Sequence, residues 1–501
     1  MRSGKPPHST KLPCAGLLLV LVGCYASYQG LDEAQSDAGG DAGDSVPGDA
    51  SADDAIGGDA DRADDAGEDG ADDGDEVGPV CRDDDGDGHP ALDCGGDDCD
   101  DTDPTIYPGA PDACGDGLDT NCDGIDPIGD GPLGPKVLVA DVPPTSGNTY
   151  TALLWTGREY LFVSRRIGIE NISLVRLDTA GKQLGGETTM REFEYAFDIA
   201  WSGSRLGAAW SAGNRLDGVF VYFQAFDVRG RALTDAVRIS DEGKAVTDGG
   251  VHYGPRIVAA GGDFFVVWSE SSEVGGAGST IWLTRVGPDG TRRFEPVLVA
   301  TYGGSDGAGL EMAWTGTEAA VVRGEPLEGG RFYTTGLRLQ RVGWAGEMLG
   351  GMQVISDAAS YSTQFQVVWT GSEFAAFWNE EEPRGSWELS FSRRDALGAE
   401  ILRASLTPLD GHFPEQRPVS WADPYFGVLW TERPASGWQL TLRRFDLSGA
   451  VHGSALVFPT PAWPGRLDIA WTGSEFGFIW SEQADDSNAL QIYFQRAAFC
   501  D

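Results

Sequence analysis

The sequence predicts an all-β chain: a seven-bladed β-propeller over residues 131–501, preceded by a small disulfide-rich module at 81–130 and a disordered acidic linker at 25–80. Three observations carry this expectation. A unit of about fifty residues recurs seven times after residue 150, the length of one four-stranded propeller blade. The chain has 71 glycines and no long apolar stretch of helical period, which argues for turns and strands over helices. The net charge of −42 over 501 residues is concentrated ahead of the repeats. Residues 31–130 hold 34 of the 78 acidic side chains and two basic ones, Arg62 and Arg82. The remaining chain is mildly acidic and long enough for a large core. It has no run of clustered Lys and Arg, so nucleic acid is not expected as a partner.

Residues 1–24 read as an address. Arg2, Lys5 and Lys11 precede the apolar run Leu17 to Val22, the charged-then-apolar order of an export signal, too short to span a membrane. The run ends in Leu21-Val22-Gly23-Cys24, which resembles the lipobox of bacterial lipoproteins. That resemblance implies a mature N-terminus at a lipidated Cys24, a membrane anchor through the acyl chains, and an outer-membrane or cell-surface location. Residues 25–80 are mostly Asp, Ala and Gly, with almost nothing apolar to bury; self-repulsion makes them an extended spacer.

The module at 81–130 interleaves Cys81, Cys94, Cys99, Cys114 and Cys122 with carboxylates. Asp83-x-Asp85-x-Asp87-Gly88 and Asp119-x-Asn121-x-Asp123-Gly124 both fit D-x-[DN]-x-D-G, in which alternate side chains converge on one hard cation and the glycine permits a sharp turn. The twelfth position of each loop is Cys94 or Asp130 instead of Glu, so these are not complete EF-hands. Further oxygens are expected from Asp93, Asp98, Asp101, Asp103 and Asp126, and a set of oxygen donors alone selects calcium. The order of these motifs, with Pro108-Gly109-Ala110 and Cys114 to Gly124, resembles the MopE-type metal-binding repeat of secreted and surface proteins of bacteria. With Cys24 lipidated and Cys14 removed, the five module cysteines and Cys500 make an even set for an oxidising compartment. One module cysteine is then left for Cys500, tying the module to the end of the large domain; which one stays open.

The repeat is clearest at Asp468 to Trp480: an apolar strand ending in Trp, a Thr-Gly turn, and a second strand ending in Trp. Its anchors fall at Trp155, Trp201, Ala259, Trp314, Trp369, Trp421 and Trp471. Trp210, Trp268, Trp378, Trp430 and Trp480 recur nine residues later and are read as core. Turns ending in glycine, such as Asp178 to Gly181 and Asp446 to Gly449, join the third strand to the fourth. The seventh copy stops after its third strand, and Pro135 to Ala140 is expected to supply the missing fourth, closing the ring.

Eleven residues after five anchors stand Glu270, Glu325, Glu380, Glu432 and Glu482, a possible ligand face, though a repeated hairpin end is the simpler reading. Glu159, Glu318, Glu373 and Glu475 are expected to pair across strands with Arg176, Arg341, Arg393 and Arg496. Gly303 to Gly307 fits G-x-S-x-G but falls in an inter-blade loop, where it has no strand-to-helix elbow. The histidines are scattered singly and form no visible catalytic set. The expectation is therefore a non-enzymatic, lipid-anchored surface propeller that binds a protein or glycan, with calcium in its module. The alternative is a propeller hydrolase or lyase acting on extracellular polysaccharide. The metal loops and the ring are expected to melt independently, so that Asp85→Ala or Asn121→Ala lowers calcium affinity and leaves propeller melting nearly unchanged.

Overall fold

The computed structural model describes residues 82–500 apart from 111, 128, 143–149, 167–170, 193–196, 215–217, 241–253, 272–278, 303–308, 327–333, 362–364, 382–386, 410–417 and 484–488. Cys24, the acidic linker, Cys81 and the Gly303 to Gly307 motif lie outside the described residues.

Seven four-stranded antiparallel sheets follow one another along the chain. Their first strands are Tyr150–Trp155, Phe197–Trp201, Arg256–Ala260, Leu310–Trp314, Phe365–Trp369, Val419–Ala422 and Gly465–Trp471, for blades 1 to 7. Successive first strands touch all the way round, and blade 7 touches blade 1, so these strands surround the axis of a closed ring. Blade 7 takes its fourth strand from Gly131–Val142, which pairs antiparallel with Leu490–Ala498 in the register Val137 to Phe494 and Val142 to Leu490. The ring therefore closes as its sequence predicts, and its largest exposed edge disappears.

Local chemistry explains why the unit repeats. In the Thr-Gly-x-Glu turns the threonine hydroxyl accepts the amide N–H of the glutamate at Thr156, Thr315, Thr370 and Thr472, and the two backbones bond as well. The third-to-fourth-strand turns each bond the glycine N–H to the carbonyl three residues back, from Gly181 to Gly449. Gly181 and Gly449 both stand at φ +81°, a left-handed conformation that side chains resist. The predicted salt bridges form on these turns: Arg176 to Glu159, Arg341 to Glu318, Arg393 to Glu373 and Arg496 to Glu475.

The core lies between blades. At the interfaces the second strand of one blade sets its sixth residue after the anchor against the fifth of the next; Leu161 faces Leu206 between blades 1 and 2, and at the other six a small residue faces an aromatic one. Gly207 admits Phe264, Gly427 admits Phe476 and Gly477 admits Tyr160. Phe265 meets Ala319, Ala320 meets Phe374 and Ala375 meets Phe426 within shared core clusters. Trp210, Trp268, Trp378 and Trp480 are fully buried, as core tryptophans should be.

Candidate functional site

The first acidic loop is built by its own backbone. Asp83 accepts the N–H groups of Gly86 and Gly88, Asp85 that of Asp87, and Asp87 that of His89, so three side chains turn inward from alternate positions. Residues Leu92–Cys94 form a single 3₁₀ turn, and a parallel bridge between Ala91 and Asp98 returns the chain beside the loop. This places Asp98 and Asp101 against Asp85, and Asp101 also accepts the Asp84 N–H at 3.2 Å. Five carboxylates thus converge: Asp83, Asp85, Asp87, Asp98 and Asp101, with Asp85 shared by both groupings.

Three of their oxygens lack a partner. Asp85 Oδ2, Asp87 Oδ2 and Asp98 Oδ2 are buried and meet no hydrogen-bond donor, an unfavourable state for a carboxylate unless a cation completes it. Burial, with the neighbouring Asp87, Asp98 and Asp83, raises the Asp85 carboxyl above its ordinary value; burial with Asp87 and Asp101 does the same to Asp98. Softer donors are otherwise engaged. Cys99 and Cys122 are joined to each other, and His89 pairs with Asp97 at 3.2 Å while stacking on Tyr107. The donor set is oxygen throughout, which fits a hard divalent cation.

The other sequence-predicted ligands go elsewhere. Asp103 holds the N–H and hydroxyl of Thr105, and Asp126 accepts the N–H groups of Gly115 and Gly117, so each fixes a turn. The Asp93 side chain lies outside the described residues. The second loop repeats the backbone pattern of the first: Asp119 accepts the Asp123 and Gly124 N–H groups, Asn121 that of Asp123, and Asp123 that of Ile125. Its fate differs, because Asp123 Oδ2 lies 2.6 Å from Arg496 Nη1 in blade 7, with both side chains almost wholly buried. Sequence reasoning missed Asp112, which holds Thr120 through Oδ1 and leaves Oδ2 buried without a donor beside this loop.

The module is fastened to the propeller where the ring closes. Arg496 also donates to Glu475 at 3.2 Å and to the Thr179 carbonyl of blade 1, and the Tyr160 hydroxyl of blade 1 donates to Glu475 at 2.7 Å. Burial raises Glu475 to about 8, and Asp123 adds to this: one guanidinium serves two buried carboxylates, so the cluster favours holding a proton. Cys114 is bonded to Cys500, the predicted tie between module and C-terminus. Cys94 is disulfide-bonded as well.

The five glutamates of the possible ligand face have a structural task. Glu270, Glu380, Glu432 and Glu482 accept the indole N–H of the tryptophan two residues earlier, at 3.1, 3.2, 2.6 and 2.7 Å, and Glu325 pairs with Arg338 and Arg323. The first four satisfy buried indoles, and Glu325 answers two guanidinium groups.

A second polar set, invisible as a motif, lies three residues before the anchors on the innermost strands. Asp468 accepts the Leu153 N–H of the next blade, Asp198 that of Ile257, Gln366 exchanges two bonds with Val419, and Arg256 reaches Glu311 at 3.2 Å. These side chains staple neighbouring inner strands around the channel. Burial, then the charges of Asp198 and Glu311, raises Asp468 to about 7, and Glu311 is raised as well.

Residues 98–126 match the family model Cu-binding_MopE, described as "Putative metal-binding motif", and this is the repeat whose resemblance the sequence carries. No curated protein matches the chain. Among solved structures, the polysaccharide lyase Uly1 is similar at 11% identity and a TM-score of 0.45, covering 72% of this chain and 90% of that one. The alpha-L-arabinanase of Penicillium chrysogenum is similar at 12% identity and a TM-score of 0.40, covering 72% and 97%. A prolyl endopeptidase structure is similar at 10% identity and a TM-score of 0.41, covering 72% of this chain; the match spans about half of the endopeptidase, 51%. At these identities the likeness concerns the fold alone. It still corrects the expectation that the chain is not an enzyme: the frames it resembles include a lyase and an arabinanase, so this architecture gives no ground for excluding catalysis.

Proposed function

We propose that this chain is an exported bacterial surface protein, anchored through a lipid on Cys24, in which a calcium-loaded module supports a propeller that engages extracellular polysaccharide. The observation that carries the reading is the set of buried, donorless oxygens on Asp85, Asp87 and Asp98 within five converging carboxylates. Calcium accepts six to eight oxygens in irregular arrangements, whereas magnesium demands a near-ideal octahedron and copper prefers nitrogen and sulfur. Asp83, Asp85, Asp87, Asp98 and Asp101 would hold the ion, whose charge would offset their mutual repulsion. The spacer at 25–80 supports a location at some distance from the membrane, since its like charges extend it. Calorimetric titration of the full oxidised chain with calcium chloride tests the reading. Saturable heat is expected for the wild type, with affinity lowered at least ~10-fold in Asp85→Ala by loss of a shared ligand; absence of heat in the wild type removes calcium from the account.

A second reading, cleavage of the polysaccharide, is favoured by the channel carboxylates, where Asp468 is raised to about 7 beside Asp198 and Glu311. A buried carboxyl held protonated near neutral pH suits the general acid of glycosidic-bond cleavage. Reducing ends released from a polysaccharide panel, and lost in Glu311→Gln, are the expected result; no release by the wild type from any member rejects this reading.

A further inference from the structure

We infer that the module is a cation-tightened clasp on the ring's closure, so that an ion in the first loop stabilises the junction of blades 7 and 1. The inference rests on the calcium reading above and adds a consequence for the propeller itself. The ring is discontinuous along the chain inside blade 7, where Gly131–Val142 and Leu490–Ala498 pair from opposite ends of the domain, and blade 1 packs against this two-ended blade.

The module grips this junction from both sides. Its Asp123 reaches Arg496 of blade 7, which in turn holds the Thr179 carbonyl of blade 1. Arg158, in the first hairpin of blade 1, donates to the Gly88 carbonyl and lies 3.7 Å from Asp97. Gly109, at φ +89°, brings the module backbone against Trp155 and Gly157 of blade 1 and to the Gly473 turn of blade 7. Cys500 donates its N–H to Asp130 at 2.7 Å, beside the Cys114–Cys500 link.

The cradle and these grips share a frame. Gly88, held by Arg158, follows the cradle residue Asp87; Asp97, also met by Arg158, precedes the cradle residue Asp98. Asp98 is followed by Cys99, whose disulfide leads to Cys122, and Asp123 is the next residue. Asp98 is therefore joined to Asp123, the residue that meets Arg496, through the adjacent Cys99–Cys122 disulfide, and Asp101 lies two residues from the same link. Without the cation, five converging carboxylates repel, and the loops that carry Gly88 and Asp98 lose their reason to hold that geometry. Filling the cradle fixes both loops, and with them the counter-charge of Arg496. Another blade interface uses the same latch without the module: Arg393 holds Glu373 and reaches the Leu447 carbonyl of the next blade. Only at the closure does Asp123 join it, among the described residues.

Intrinsic fluorescence reads the ring selectively, since all 16 tryptophans lie at or after Trp155. The full oxidised chain is melted with excess calcium chloride and with chelator, while calorimetry measures binding in parallel. Calcium is expected to raise the tryptophan melting temperature by at least ~3 °C, the scale expected when a saturating ligand binds only the folded chain. Asp85→Ala should lose the heat and the shift together, whereas Asp123→Asn should keep the heat and lose most of the shift. Where Asp123→Asn does not fold, Arg158→Ala, a change at an exposed side chain, should keep the heat and reduce the shift. Calcium heat in the wild type without movement of the tryptophan transition overturns the clasp and leaves the calcium reading standing. Absence of heat overturns both.

Discussion

Asp468 shows how a single side chain couples the channel to pH. Its two oxygens accept the Leu153 and Ile469 N–H groups, both of which favour the carboxylate, yet burial and the charges of Asp198 and Glu311 outweigh them and raise it from 3.8 to about 7. Folding therefore favours the protonated form, and this contribution is fully present below the unfolded value near 3.8. It is lost as pH rises through about 7. Wild-type melting temperature is expected to fall across pH 4–8, and Asp468→Asn should flatten that fall by roughly 2–5 °C. Part of the slope persists, because Glu475, raised to about 8, acts with the same sign. Superimposable slopes for wild type and variant would remove Asp468 from the account. The glutamates beside the core tryptophans offer the opposite lesson in legibility. Trp430 and Glu432 are two residues apart in a strand and so share one face, a signal present in the sequence that assigns the carboxylate to the indole. The channel set was not legible, because Asp198, Arg256, Glu311, Gln366 and Asp468 have no common residue type, and only the ring brings them together.

At the scale of the blade, the repeated Trp-Thr-Gly-x-Glu unit made strand order and turn positions readable, since each of its residues has a local task that the sequence itself carries. Packing between blades was less readable, because it depends on pairs about fifty residues apart whose sizes must match. Gly427 and Phe476 form such a pair: a methyl group on Gly427 would land inside the Phe476 ring. Gly427→Ala is expected to destabilise the chain by about 1–3 kcal/mol through overpacking. Phe476→Leu alone should also destabilise, by leaving a cavity. Combined, the two should cost less than their sum, because the smaller side chain vacates the volume that the methyl group needs. Denaturant unfolding of the two single variants and the double variant measures this, and strict additivity would show that the two residues do not compete for one space.

For the whole molecule, chain order already places the module at the closure. It ends where the closing strand begins, and Cys500 follows the strand with which Gly131–Val142 pairs. The tie between module and C-terminus was therefore readable from cysteine number alone, although its partner, Cys114, was not. The two acidic loops were readable as loops and indistinguishable as sites, since both carry D-x-[DN]-x-D-G and share three of their four side-chain-to-backbone bonds. What separates them comes from far along the chain. Arg496 stands 373 residues after Asp123 and meets its carboxylate in a dry environment, where a lone guanidinium would be strongly unfavourable. The first loop meets the propeller through Arg158 at its rim and keeps its inner oxygens free of donors. One sequence pattern thus meets two surroundings: in the first loop buried carboxylate oxygens converge without a donor, and in the second Asp123 answers a fixed cation of the ring. This division of labour follows from where the closure lies, because the guanidinium that seals blade 7 against blade 1 needs an anion, and the segment just ahead of the closing strand is the nearest source of one.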